Sequence, residues 1–248
     1  MEIDDYIEVV RREGDALVAA ARSAPLDASV PSCPDWDLRE LVRHIAGVHH
    51  WAARQVGERH ADEITGDLVD IVGGWPPDDE LVDWAGEQHA NLLRVFEDAD
   101  RDFPYFTWVP GRTPFTMWTR RQAHETSIHR VDAQLAAGTV SPFEPEHAAD
   151  GVDELVIAMV GSRRKPLPVT ATTTLHLKAT DIPRTWTVDI TPDGLDPYTE
   201  ARGQPDCTVT GSAGDLYRLV WHRGGDVDVA GEASVLDAWW EYVRPAWS

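Results

Sequence analysis

Residues 120 to 132 read Arg-Arg-Gln-Ala-His-Glu-Thr-Ser-Ile-His-Arg-Val-Asp, and they constrain the fold more than any other stretch. At a helical advance of about 100° per residue, Met117, Ile128, Val131 and Leu135 share the arc that faces a core. Glu125, Asp132 and His129 fall on the arc beside it. A carboxylate withdrawn from water is costly unless it is paired or bound to a metal. The helix therefore demands a partner for Glu125. A basic side chain such as Arg121 would serve, and so would a cation.

Several function classes are excluded by composition. A formal charge of −21 repels phosphate backbones, so nucleic acid is not an expected partner. No apolar run approaches the ~18 residues of a membrane span, and the acidic start Met1-Glu2-Ile3-Asp4-Asp5 lacks the positive charge of a signal peptide. With Cys33 and Cys207 as the only cysteines, neither a disulfide framework nor a four-cysteine zinc site can form. The expectation is a soluble, cytoplasmic protein. Eleven tryptophans and 42% hydrophobic residues supply an ample core, and 248 residues suit one large or two modest domains.

The hydrophobic period changes along the chain. Ile7, Val10, Leu17 and Ala20 give a first helix over 4 to 22, with Asp4 or Asp5 as its cap. Asp37 caps a second helix to about residue 56, with Leu38, Leu41, Val42, Ile45, Val48 and Ala52 on one face. The Trp75-Pro76-Pro77-Asp78-Asp79 cluster starts a third, and the stretch ending at Gly138 is the fourth. A fifth covers 147 to 161. From residue 169 the pattern alternates: strands are expected at 169 to 177, 185 to 190, 207 to 210 and 227 to 229, with helices after Ser212 and from Ala233 to Tyr242. The fold class is α+β. A helical domain over 1–162 precedes a small α+β domain over 168–248, and Ser162-Arg163-Arg164-Lys165-Pro166 reads as a linker.

Glu125 and His129 lie one helical turn apart, which fits two ligands of a catalytic zinc site needing a third from another helix. The same spacing also suits an ordinary buried ion pair joined by Arg121. On the second helix His44 and His49 flank the apolar arc on opposite sides, and periodicity does not choose between them. His50 falls opposite that arc and is expected in solvent. His124 points to the core, and Trp36 and Trp51 read as bundle packing more than as the lining of a pocket. Asp132 suits either a structural ion pair or a group orienting a ligand imidazole.

The run Cys33-Pro34-Asp35-Trp36-Asp37-Leu38-Arg39-Glu40-Leu41-Val42-Arg43-His44, with the later Glu125-Thr126-Ser127-Ile128-His129-Arg130-Val131-Asp132, resembles the mycothiol-dependent maleylpyruvate isomerase family of actinobacteria. Thr210-Gly211-Ser212-Ala213-Gly214-Asp215 and Arg223-Gly224-Gly225-Asp226 are similar to that family's second domain. The resemblance implies a DinB-like four-helix bundle followed by a sterol-carrier-like domain. It also implies metal ligands His44, Glu125 and His129, with Zn2+ or another divalent metal and mycothiol as thiol cosubstrate. On that basis the expected activity is isomerase or S-transferase: a metal-held thiolate attacks a small electrophile and Arg223 stabilises the developing negative charge. Arg223 also suits a plain role at a helix C-terminus, where a cation meets the helix dipole. The alternatives are a metal-dependent hydrolase, which would need no thiol, and a non-catalytic apolar-ligand-binding protein, which would need no metal.

Overall fold

The computed structural model describes residues 1–109, 111–162, 165–200 and 202–244. It divides into two compact units, Met1–Ser141 and Pro142–Ser248. Helices and one five-stranded sheet make it α+β, as the change of period implies. Among the described residues no helix is long and apolar enough to cross a membrane.

The first unit is built on four long helices: α1 (Ile3–Arg22), α2 (Leu38–Gly57), α4 (Asp78–Asp98) and α5 (Pro114–Ala136), with the single-turn α3 (Leu68–Val72) between α2 and α4. α1 packs along α5 and α2 along α4, and both α1–α4 and α2–α5 also touch. Asp37 caps α2 as expected, accepting from the Glu40 backbone N–H at 3.0 Å. α1 starts earlier than expected: Glu2 is its cap, and Asp5 answers from the third helical position to close a capping box. Leu38, Leu41, Val42 and Ile45 are fully buried with Leu17, Ala21, Leu81 and Ala85. Each such leucine contributes about 1.5–3 kcal/mol by leaving water.

α5 is unusual among these helices. Most of its residues are buried, on nearly every side of the wheel, and they include Arg121, Gln122, His124, His129, Arg130 and Asp132. It is a central helix rather than an amphipathic surface one, so its polar groups must find partners inside the protein. Thr113 caps it, accepting from the Thr116 backbone N–H at 3.1 Å, and Pro114 follows at the first position.

The second unit opens with α6 (Pro145–Val152), continued by a π-helical stretch, Asp153–Val160. α6 packs against α7 (Ala213–Val220), so the expected fifth helix counts with this unit, and the chain divides before it rather than at 162–168. Of the expected linker, Arg163 and Arg164 lie outside the described residues. The sheet has the order β3-β2-β1-β4-β5, with β1 (Thr173–Ala179), β2 (Thr185–Thr191), β3 (Gly194–Tyr198), β4 (Cys207–Gly211) and β5 (Val227–Gly231). All pairs are antiparallel except β1 with β4. β3 was not expected from the sequence. It is an edge strand and tolerates Pro197, whose missing N–H a central strand could not spare. α8 (Ala233–Tyr242) closes the unit.

Candidate metal centre

α2 and α5 bring three of the expected side chains to one point. Glu125 Oε1 lies 3.3 Å from His44 Nε2 and 3.2 Å from His129 Nε2. The three donor atoms all fall within 4.8 Å of one another. Both imidazoles thus turn the same nitrogen toward the same carboxylate oxygen. The other oxygen, Oε2, accepts from Arg121 Nη2 at 2.6 Å.

His129 is held from both ends. Its Nδ1 lies 2.9 Å from Asp132 Oδ2 while its Nε2 faces Glu125. Ionised carboxylates only accept, so a neutral imidazole satisfies one of these contacts and a doubly protonated ring satisfies both. Burial disfavours charge on His129, but hydrogen bonds to Asp132 and Glu125 outweigh it and raise the pKa above the usual histidine value. Burial likewise works against the Glu125 carboxylate, yet the Arg121 charge and the two imidazoles hold it well below the usual carboxylate range. For His44 burial wins and lowers the pKa.

This arrangement fits a divalent cation. Asp132 keeps a proton on Nδ1 of His129 and so directs the Nε2 lone pair at the shared point. A cation there would replace protons that bridge nitrogen to oxygen. Two imidazoles and one carboxylate are hard-to-borderline donors of the kind zinc takes.

Three residues that lie ahead of α2 complete the surroundings. Ser32 Oγ donates to Asp132 Oδ1 at 2.5 Å, and Cys33 Sγ lies 3.9 Å from Oδ2. Trp36 is expected to pack the bundle more than to line a pocket. It does pack against the core, and its ring also stacks 6.2 Å from His129 and lies 4.9 Å from His44. Ser32 was not expected at the site. The available signal was its place in the turn leading into the capped helix, where an antiparallel bridge pairs Ser29 with Asp37.

The remaining histidines go elsewhere. His49 is more deeply buried than His44 but points to Thr126 Oγ1, 2.9 Å from its Nε2, with the His89 ring 5.6 Å away. His50, expected in solvent, is half-buried with Nδ1 2.9 Å from Gln88 Oε1, because α4 covers that side of α2. His124 is fully buried and meets Tyr6 edge-on at 6.4 Å.

The mycothiol maleylpyruvate isomerase N-terminal domain profile matches residues 7–134, and the C-terminal domain profile of the same family matches residues 146–238. The chain belongs to the mycothiol maleylpyruvate isomerase family. Membership places it among enzymes. The crystal structure of the mycothiol-dependent maleylpyruvate isomerase is similar in fold, with a TM-score of 0.65, 17% identity, and coverage of 94% of this chain and 95% of that one. A histidine-to-alanine mutant of that isomerase gives the same figures. The sequence matches no curated protein.

In this family member Arg223 belongs to the second unit and follows α7. His222 takes φ 64°, and the N–H groups of His222 and Arg223 return to the carbonyls of Leu219 and Arg218 at 3.0 and 2.8 Å. That pattern closes the helix end with a left-handed residue. The Arg223 guanidinium is buried and donates to the Trp221 carbonyl at 2.6 Å, the contact expected of an arginine at a helix C-terminus.

Proposed function

We propose that this chain is a zinc-dependent, mycothiol-dependent isomerase or S-transferase acting on a small electrophile. The observation that carries the proposal is the convergence of His44, Glu125 and His129 on one point, with Glu125 Oε1 facing both imidazoles. In this reading those three residues hold the metal. A divalent cation there would supply the positive charge that keeps a thiol deprotonated near neutral pH.

The protein's own residues set the conditions. Arg121 keeps Glu125 ionised, Asp132 fixes the His129 tautomer, and Trp36 stacks beside His129 and lies tilted against His44. The thiolate sulfur of mycothiol adds to one carbon of a double bond conjugated to a carbonyl. The π electrons move onto the carbonyl oxygen, and the former double bond becomes free to rotate. Collapse of the enolate expels the thiolate and leaves the isomerised alkene. Protonation at carbon instead leaves a thioether, which is the S-transferase outcome. Both courses place negative charge on the substrate, and Arg223 is the residue proposed to answer it.

The test is metal analysis of protein purified without chelators, followed by turnover of conjugated electrophiles with and without mycothiol. Near-stoichiometric zinc and strict thiol dependence are expected. Turnover without thiol would make the protein a hydrolase, and absence of metal would leave a binding protein. His129→Ala is expected to lose the metal and keep the fold, because the apolar cluster around Leu38, Leu41 and Ile45 does not include it.

A further inference from the structure

The two oxygens of Glu125 have different partners. Oε1 faces both imidazoles, while Oε2 is taken by Arg121 one helical turn away on α5. Arg121 is 5% exposed, so this contact is shielded from competing water. A carboxylate can bind a cation through one oxygen or through both. A charge-assisted bond to one oxygen ties it away from the cation. Two imidazoles and one carboxylate oxygen make three ligands, which leaves a four-coordinate ion one place for an incoming group.

We infer that Arg121 is a positioning residue that holds Glu125 to a single-oxygen ligand and thereby reserves a coordination place for the thiol. The inference rests on the metal reading above. The guanidinium has a second effect of the same sign: its positive charge beside the cluster favours an anionic group at the reserved place over a neutral one. Without Arg121, Oε2 is free to turn to the cation and take the fourth place itself, so sulfur must enter as a fifth ligand with less room.

The test uses the full chain loaded with Co2+, whose visible absorption is intense in four-coordinate sites and weak in five- or six-coordinate ones. Wild type and Arg121→Lys, which keeps a cationic donor, are expected to show the intense spectrum. Arg121→Met is expected to lose it once thiol is bound as a fifth ligand. Titration with 2-mercaptoethanol should require about tenfold more thiol in Arg121→Met, the low end of what removing an outer-shell partner costs. A folded Arg121→Met variant with wild-type absorption and a wild-type thiol titration overturns the inference. So does a variant that folds neither with nor without cobalt, since that assigns Arg121 to holding the bundle. Failure of the wild type itself to bind cobalt is a different result: it removes the metal reading and the inference with it.

Discussion

Replacing Asp132 by Asn separates charge from shape at the point where His129 is oriented. Asp132 is fully buried, with Oδ2 2.9 Å from His129 Nδ1 and Oδ1 accepting from Ser32 Oγ at 2.5 Å. Asn fills the same volume. Its carbonyl can accept from His129 Nδ1 while its amide turns to Ser32, whose hydroxyl can rotate to accept. The geometry therefore survives and only the acceptor's charge is lost. A hydrogen bond to a charged group contributes about 1.5–3 kcal/mol and a neutral one about 1. In the metal reading proposed above, the difference, about 0.5–2 kcal/mol, is a loss of zinc affinity of about two- to thirtyfold. Competition against a chelator at fixed pH measures it, with far-UV circular dichroism to show that the variant is folded. A folded Asp132→Asn protein with unchanged zinc affinity would refute the assignment of Asp132 as the group that polarises His129.

Other consequences can be tested without metal. Gly14→Ala, ordinarily stabilising in mid-helix, should lose about 1–3 kcal/mol, because the new Cβ would sit 2.1 Å from His89 Cε1; a higher urea midpoint would contradict this. Thr126→Val leaves the buried Nε2 of His49 without its 2.9 Å partner and should cost about 1–3 kcal/mol, read in the same assay, where an unchanged midpoint would show the bond to be idle. Burial lowers the pKa of both His49 and His89, so as pH falls the unfolded chain takes up protons before the folded one. Their contribution to stability is then complete above about pH 6.5 and falls below it by up to about 1.4 kcal/mol per pH unit for each imidazole, until its folded pKa is reached. His49→Gln should remove one share of that slope, and an unaltered slope between pH 6.5 and 5 would count against the argument.

The helices of the first unit were legible because their ends carry chemistry that acts locally. Asp37 caps its own backbone, and Pro76 and Pro77 stop one segment before α4 begins. β3 was illegible because Gly194, Asp196 and Pro197 are turn residues by local preference, and only pairing with β2 makes them a strand. At the site, periodicity placed His44 and His49 on opposite flanks of the same arc and could go no further. What separates them is which side chain of α5 each one meets, and that is a tertiary fact: Glu125 for His44 and Thr126 for His49. The family resemblance, not the wheel, pointed to His44. The dual contact of Trp36 was hidden for a similar reason, since an indole can pack on a core and on two imidazoles at once.

α5 shows why a buried helix can carry so many ionisable groups. Arg130 donates to Glu13 on α1 at 2.8 Å and to the Ser141 carbonyl at 2.7 Å, so this charge is answered away from the site. At the site, Arg121 answers Glu125 Oε2 at 2.6 Å, and Asp132 and Glu125 hold His129 from its two nitrogens. Each of these carboxylates thus has a basic partner on its own helix, which offsets the cost of burying it. The charges of α5 are therefore met in two separate groups, Arg130 with Glu13 and Arg121 with the Glu125–His129–Asp132 chain.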